Sequence, residues 1–240
     1  MWHYFYSEEQ MELLTDIGIF MGAYIIGAIP FGLIIVKLMT GKDIRAVESG
    51  RTGGTNAMRA AGLGAGILTA TFDIIKGASG VWLARALGGS LWVEVLAPVG
   101  IILGHNYSIF LMERNGDGRW HLRGGAGGAP SVGGAFGLWP WSLFIILPVG
   151  LLVFFGIGYA SVTTMSVAFV AIIVFAVRAV LGLSPWQYVF YGVLAEILLM
   201  IALRPNIKRL LAGTERLHGW RAKKKEQKHT GSSQATLISR

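Results

Sequence analysis

Residues 17–39 read IGIFMGAYIIGAIPFGLIIVKLM, a nearly continuous apolar run in which the only charged residue is Lys37, close to the end. About 20 apolar residues are enough for a helix to cross the hydrocarbon core of a bilayer. Pro30 lies inside the run. Because proline lacks a backbone N–H and clashes with the preceding turn, we expect a kink or a break there. The stretch therefore predicts a first transmembrane helix.

The rest of the chain has the same apolar character. Of its 240 residues, 53% are hydrophobic and 14% are charged, whereas a soluble domain carries about 25% charged residues. Trp139-Pro140-Trp141 divides one apolar stretch that is too long for a single helix. We predict an all-α polytopic membrane protein with seven transmembrane helical elements within residues 17–203. The six further elements are 63–87, 91–112, 129–138 (too short to span alone), 141–158, 162–181 and 185–203.

Positive charge is confined to one set of connections. Lys and Arg cluster in residues 40–62, in 113–130 and in the tail 204–240, which carries ten of them against two acidic residues. The opposite connections carry none, and Trp residues lie at or beside them. Cytoplasmic loops are enriched in Lys and Arg, and Trp favours the membrane interface. We therefore predict two cytoplasmic motif loops, a C-terminus in the cytoplasm, and an extracytoplasmic N-terminal segment, residues 1–16.

The charge and the cysteine content exclude several classes of protein. The net charge of +8 resides in the tail, so the sequence does not predict a nucleic-acid-binding fold. A basic tail after the last span instead predicts contact with anionic membrane lipid. The chain contains no cysteine, which excludes disulfides, cysteine-ligated metal sites and a cysteine nucleophile.

Three charged residues fall inside predicted spans: Asp73, Lys76 and Glu196. Charge in hydrocarbon is costly, so such residues are usually paired or functional. Asp73 and Lys76 are three residues apart, which makes them neighbours on a helix face. We interpret the pair as structural rather than catalytic.

Three polar segments contain the candidate binding residues. Residues 49–59 combine glycines, hydroxyls and arginines, and such a loop can turn backbone N–H groups toward an anion. Gly104-His105 with 123–130, and 204–209 with 213–215, repeat the pattern. Each segment alone has an ordinary alternative: a flexible basic loop, a structural histidine, or a juxtamembrane basic stretch. Together they predict one site for a phosphate-bearing ligand at the inner membrane face, although they do not name a reaction.

At these residues the chain resembles the bacterial membrane acyl-phosphate:glycerol-3-phosphate acyltransferases, the PlsY type. The resemblance covers residues 20–216 in the right order. Ser49 to Arg59 resembles the family's first motif, Ser-Gly-Asn-x-Gly-Ala-Thr-Asn-x-x-Arg. Further matches are Gly27 to Gly32, Asp43-Ile44-Arg45, Asp73 to Gly77, Gly104 to Phe110, Gly124 to Gly127, Tyr159 to Thr164, Asn206 to Leu210 and Gly213-x-Glu215.

The resemblance implies a reaction and a set of site residues. An acyl group would move from acyl phosphate to the 1-hydroxyl of glycerol 3-phosphate, giving lysophosphatidic acid, in a bacterial inner membrane and with no metal or cofactor. Ser49 and Arg59 would hold glycerol 3-phosphate and Asn206 would help to orient it, so these three are the candidate catalytic residues. The candidate binding residues are Arg45, Gly50, Arg51, Gly53, Gly54, Thr55, Asn56, His105, Arg123, Gly124, Gly125, Gly127, Ser161 and Thr164.

The chain also departs from the family pattern. Ala126 stands where the family has Lys, Leu203 where it has His, Arg51 where it has Asn, and Gly158 where it has Arg; about nine residues, 113–121, are extra. The alternative interpretation is therefore a non-catalytic or altered relative that binds phosphate or lipid headgroups. A transporter is a weaker alternative, because clear paired repeats are absent. If the protein is an enzyme, we expect some of Arg51, Arg119, His121 and Arg123 to face the 49–59 loop.

Overall fold

The computed structural model describes residues 7–114, 116 and 118–217. The first six residues of the predicted N-terminal segment and residues 218–240 of the predicted basic tail lie outside the described residues. The helices and strands are α1 Glu8–Ala28, α2 Phe31–Thr40, α3 Gly54–Ala61, α4 Leu63–Ala86, α5 Leu91–Asn106, β1 Ser108–Arg114, β2 Trp120–Arg123, α6 Gly128–Leu138, α7 Leu143–Ile157, α8 Ala160–Val180 and α9 Gln187–Leu211.

The first helix begins earlier than the apolar run. Ser7 and Gln10 form a reciprocal capping box at the start of α1, which satisfies two free donors of the first turn. Residues 8–16 are therefore part of the first helix, which begins earlier than the predicted start of the first span at residue 17. The predicted break at Pro30 is present, since α1 ends before it and α2 begins after it.

Five stretches are long and apolar enough to cross a membrane: residues 8–40, α4, 140–157, α8 and α9. Two further helices belong to the predicted set of seven elements but are shorter. α5 has 16 residues, and α6 has 11, or about 16 Å at 1.5 Å per residue. The helical, multi-span architecture expected from the composition is thus present.

The helices pack through close backbone contacts. α4 lies against α6, α1 against α5, and α8 against α9. A Cβ added at Gly77 of α4 would lie 2.2 Å from the carbonyl oxygen of Pro130, so no larger residue fits between α4 and α6. The largest apolar cluster joins α4, α5, α6, α7, α8 and α9, and it includes the fully buried Phe175 and Tyr191.

The polar segments meet at one end of the helices, which we call the motif end. It consists of the ends of α1, α5, α7 and α9 and the starts of α4, α6 and α8. The Tyr24 hydroxyl donates to the Tyr107 carbonyl oxygen at 2.9 Å, which joins the ends of α1 and α5. Tyr159, before α8, pairs with Leu217, beyond α9.

Two sequence expectations need correction at the motif end. The run 91–112 was expected to be one helix, yet α5 ends at Asn106 and the chain continues as β1. β1 pairs with β2 in an antiparallel hairpin, with Met112 opposite Leu122. Two features suit pleated strands. Exposed and partly covered side chains alternate along Trp120–Arg123, and Ile109 and Phe110 are residue types that favour β-structure. The described chain is therefore helical apart from one hairpin, and residues 113–130 are not a simple loop.

Two further boundaries also differ from expectation. The predicted loop 40–62 contains helix α3, whose buried Ala57 and Ala60 pack on the neighbouring segment. The last helix was expected to end near residue 203 but extends to Leu211, with Pro205 inside it. Asn206 and Arg209 therefore belong to α9 rather than to a tail.

Candidate active site at the motif end

The first glycine segment forms a tight loop that Asn56 holds from inside. The Asn56 side-chain amide donates to the carbonyl oxygens of Ile44, Val47 and Arg51 at 2.9–3.1 Å. Glu48 has a φ of 48° and Gly50 a φ of 66°, and such left-handed conformations suit glycine best. Asn56, expected to bind phosphate, thus shapes the loop. Ser49 lies on its exposed side.

Arg51 joins the three motif segments. Its guanidinium donates to the Gly125 carbonyl oxygen at 3.1 Å, to the Ala202 carbonyl oxygen at 2.5 Å, and to Asn206 Oδ1 at 3.4 Å. Burial lowers the pKa of Arg51, and the positive charge of Arg209 acts in the same direction. Among the described residues Arg51 has no carboxylate partner, so its charge is balanced only by neutral oxygens.

The second glycine segment passes between the first loop and α5. The Thr52 amide donates to the Gly124 carbonyl oxygen at 3.3 Å, and the Gly125 amide donates to the His105 carbonyl oxygen at 2.8 Å. A Cβ at Gly125 would lie 1.9 Å from His105 Nε2. Only glycine allows this approach, so the glycines expected to cradle phosphate also let three backbone segments come together.

Glu215 connects the third segment to α8. Its carboxylate accepts from the Ser161 hydroxyl at 2.6 Å and from the Asn206 amide at 2.9 Å. Glu215 is 8% exposed. Asn206 is therefore held between Arg51 and Glu215, while the Ser161 hydroxyl is already engaged. Thr164, on the next turn of α8, lies beside Gly128 at the start of α6.

The N-terminal end of α3 supplies the remaining first-motif residues. Gly53 caps the helix, and Gly54 and Thr55 form its first turn. Arg59 lies half-buried in the last turn. Burial lowers the pKa of Arg59, and the carboxylate of Glu215 acts in the opposite direction. Arg59 thus sits within electrostatic reach of the group that holds Asn206.

The arginines near the hairpin have acidic partners. Arg45 pairs with Asp43 and with Glu113, both at 2.7 Å, and Arg123 pairs with the other oxygen of Glu113 at 3.2 Å. The hydrogen bond from Arg45 lowers the pKa of Asp43. Of the four basic side chains expected to replace the missing charges, Arg51 lies between the glycine segments, whereas Arg123 is turned toward Glu113.

Buried polar groups lie beside the site, and of these Asn106 was not among the predicted site residues. Asn106 is 4% exposed, and neither of its amide atoms has a described partner; a Cβ at Gly127 would lie 3.0 Å from its Oδ1. Lys76 lies 3.0 Å from Asp73 and 3.1 Å from His105 Nδ1, so His105 is part of a buried charged cluster. Glu215 carried a signal, because it is an acid in an otherwise basic stretch.

Apolar spans around a glycine-lined junction, with an arginine that has no carboxylate partner among the described residues, define a class: an integral membrane protein whose polar, glycine-bearing segments meet at one end of its helices. The family model "Glycerol-3-phosphate acyltransferase" matches residues 17–213. The chain belongs to this family, and the resemblance drawn from its motifs is confirmed.

Relatives and solved structures agree with this assignment. "Glycerol-3-phosphate acyltransferase 2" of Moorella thermoacetica is 37% identical over 202 residues, covering 83% of this chain and 96% of the relative. The Thermus thermophilus "Glycerol-3-phosphate acyltransferase" is 38% identical over 200 residues, covering 83% and 94%. A crystal structure of PlsY, an integral membrane glycerol 3-phosphate acyltransferase in its glycerol 3-phosphate form, matches with TM-score 0.72 and 30% identity over 85% of this chain and 96% of that one. Its lysophosphatidic acid form matches with TM-score 0.71 and 28% identity, covering 85% and 95%.

Proposed function

We propose that this protein transfers an acyl group from acyl phosphate to the 1-hydroxyl of glycerol 3-phosphate at the motif end, giving lysophosphatidic acid and inorganic phosphate. The observation that carries the proposal is Arg51. A half-buried guanidinium that has no carboxylate partner in the described part of the chain, placed where three glycine-bearing segments meet, attracts an anion. Arginine holds phosphate through two parallel N–H bonds.

The reaction requires mainly that the two substrates are positioned and that the charges of their phosphates are neutralised. The glycerol hydroxyl attacks the acyl carbonyl carbon, a new ester C–O bond forms, and the bond from that carbon to the phosphate oxygen breaks. The departing phosphate takes up the proton that the hydroxyl loses. Because the acyl phosphate is already activated, alignment of the two substrates and cationic donors on their phosphates supply most of the rate enhancement.

Several residues have proposed roles in this reaction. Ser49 and Arg59 hold glycerol 3-phosphate, and Asn206, fixed by Arg51 and Glu215, orients it. The first-motif glycines, Thr55 and the start of α3 line the phosphate site. Asn56, Ser161 and His105 support the site from behind, because the Asn56 amide nitrogen, the Ser161 hydroxyl and His105 Nδ1 already contact other groups of the protein.

Purified protein in liposomes, given acyl phosphate and labelled glycerol 3-phosphate, should form lysophosphatidic acid above an empty-liposome control. Absence of product together with saturable phosphate binding would instead favour the alternative, a non-catalytic relative. This alternative rests on Ala126 and Leu203, which stand where the family has Lys and His.

Two substitutions test the proposed roles in the first motif. Ser49→Ala and Arg59→Ala should each remove most of the activity while the protein still inserts in the membrane at normal levels. Normal turnover by both variants would show that the roles carried over from the family are wrong.

We also propose that the chain crosses a bacterial inner membrane seven times, with the N-terminus outside and the motif end in the cytoplasm. Short α6 reaches from the Arg51 contact at Gly125 to the Arg85 contact at Gly137, which supports counting it as a crossing. Cysteines placed at Gly89 and Ser184 should be labelled from outside intact cells, and one at Gly116 should not. Outside labelling at Gly116 would reverse the orientation.

A further inference from the structure

The hairpin β1–β2 has two faces of different chemistry. Residues directly opposite one another in an antiparallel pair share a face, and here Met112 is opposite Leu122 and Arg114 is opposite Trp120. Burial alternates along residues 110–114 of β1 and along β2 in agreement with this register, whereas the exposed Ile109 lies in the irregular part of the pairing between Ser108 and Met112. We call one side the hairpin outer face; it consists of Phe110, Met112, Arg114, Trp120 and Leu122.

The inner face fixes the hairpin to the rest of the molecule. Leu111 is buried, and the buried Ser108 hydroxyl donates to the Ala28 carbonyl oxygen at the end of α1 at 2.5 Å. Glu113 pairs with Arg45 of the first motif loop and with Arg123 of β2. The orientation of the hairpin is therefore set, and the charges of the inner face are matched within the protein.

The outer face is apolar, aromatic and cationic. Phe110 is 57% exposed, Met112 46% and Trp120 63%. The Arg114 guanidinium lies 5.8 Å from the centre of the Trp120 ring, and its Nε donates to the Gly118 carbonyl oxygen. None of the five residues of this face is acidic. Elements that lie in a membrane interface combine a tryptophan, large apolar side chains and basic residues in this way.

The position of the hairpin indicates what covers this face. β1 follows α5 after one residue and is bonded to the end of α1. Both helices are apolar, and α1 ends at Ala28 and α5 at Asn106, beside the hairpin. An exposed apolar face at the level where spans end meets the boundary between lipid headgroups and acyl chains, where tryptophan and arginine side chains are both stable.

We propose that the hairpin outer face is a lipid-docking surface that inserts Phe110, Met112, Trp120 and Leu122 into the headgroup region of the surrounding bilayer, with Arg114 donating to lipid phosphate. This function is separate from acyl transfer, and it gives a role to the extra residues 113–121. It also holds the inner face, with Glu113 and Arg123, against Arg45 of the first motif loop.

The test uses site-directed spin labelling. The chain has no cysteine, so one introduced cysteine gives one label. Met112→Cys and Leu122→Cys report on the outer face, and Ala46→Cys, on an exposed turn of the first motif loop, is the water-exposed control. In nanodiscs of phosphatidylcholine and phosphatidylglycerol, collisions with oxygen, which concentrates in lipid, are compared with collisions with a water-soluble nickel chelate.

The proposal expects the ratio of oxygen to nickel collisions at Met112 and Leu122 to be several-fold higher than at Ala46, and to fall when Arg114→Gln is added. A ratio at Met112 equal to that at Ala46 overturns the proposal, because the face is then in water. Protection from both agents, alike in detergent and in nanodiscs, also overturns it, because protein then covers the face. A high ratio unchanged by Arg114→Gln contradicts the assigned arginine–phosphate contact.

Discussion

An arginine holds helix α6 at each end, and the two arginines differ in their surroundings. Near the start of α6, Arg51 donates to the carbonyl oxygens of Gly125 and Ala202. At its end, Arg85 donates to the carbonyl oxygens of Gly137 and Leu138. Arg85 also pairs with Glu94 at 3.0 Å and bonds the Tyr188 hydroxyl. Arg51 has no such acid among the residues described.

The difference in charge partners indicates that Arg85 is the structural arginine of the two. Arg85 is neutralised within the protein, so its hydrogen bonds serve only to close the end of α6. Arg51 makes similar bonds while its charge stays unbalanced and is reinforced by Arg209. A half-buried charge is costly unless something pairs with it. A bound phosphate would provide this partner, and we therefore propose that the anion binds near the start of α6.

The largest expected effect is that of Arg51→Gln. Loss of a charge-assisted hydrogen bond costs about 1.5–3 kcal/mol, and because each 1.36 kcal/mol is tenfold, kcat/KM should fall by about 10–100-fold. The kcat/KM of Arg51→Lys should lie between those of the unsubstituted protein and Arg51→Gln, because lysine keeps the charge but lacks the planar guanidinium. Steady-state kinetics of lysophosphatidic acid formation measure both variants.

The matched control is Arg85→Gln. It should lower the melting temperature, since Glu94 and two carbonyl oxygens lose their donor, while KM for glycerol 3-phosphate in the folded fraction stays unchanged. If Arg85→Gln raised KM as much as Arg51→Gln did, the distinction between the two ends of α6 would fail.

A charge exchange tests whether Arg51 replaces the lysine that the family resemblance places at residue 126. Ala126 follows Gly125, whose carbonyl oxygen accepts from Arg51. We expect Ala126→Lys alone to be harmful, because it adds a cation beside Arg51. The double variant Arg51→Asn/Ala126→Lys should recover about tenfold in kcat/KM over Arg51→Asn, the value of one charge-assisted bond. Additive losses in the double variant would rule out an exchange of charge between the two positions.

A smaller effect, roughly tenfold in kcat, is expected for Glu215→Gln. Glutamine keeps one acceptor oxygen, so either Ser161 or Asn206 loses its present bond, at about 1–1.5 kcal/mol for a single bond. Ser161→Ala is the milder companion, because it leaves the bond to Asn206 intact. Equal loss in the two variants would show that the position of Asn206 is not what matters.

The smallest effect is expected for Arg123→Gln. Sequence alone places Arg123 on a par with Arg51 as a replacement cation, yet Glu113 already neutralises it. KM for glycerol 3-phosphate should change by less than about threefold, since partly exposed ion pairs contribute only about 0–1 kcal/mol. An effect as large as that of Arg51→Gln would mean that Arg123 leaves Glu113 to bind substrate.

The sequence predicted those features of the fold that depend on residues close together in the chain. Apolar length indicated the spans, Pro30 ended α1, and Trp139-Pro140-Trp141 separated α6 from α7. The meeting of three glycine-bearing segments also followed, because the predicted alternation of the spans places all of them at the same end of the helices. The family itself was recognisable from its motifs.

The features that the sequence did not predict depend on contacts between residues far apart in the chain. The hairpin was missed because Ile109 to Met112 is as apolar as the end of a helix, and only pairing with residues 120–123 makes it a strand. The supporting role of Asn56 depends on three carbonyl oxygens brought to it by the loop. Glu215 reaches Ser161 across 54 positions of chain, a separation that no local pattern reveals.

The ion pair of Asp73 and Lys76 bears on how the protein enters the membrane. The two residues are three apart on α4, 3.0 Å from one another, and both are buried. The pair lies within a single helix, so it is complete before α1 or α5 has packed against α4. A paired helix enters hydrocarbon at lower cost than one with two separate charges. Lys76 then donates to the carbonyl oxygens of Gly27 and Ile29 beside the Pro30 break, so the same ammonium group that eases insertion of α4 later joins it to the first helix during assembly.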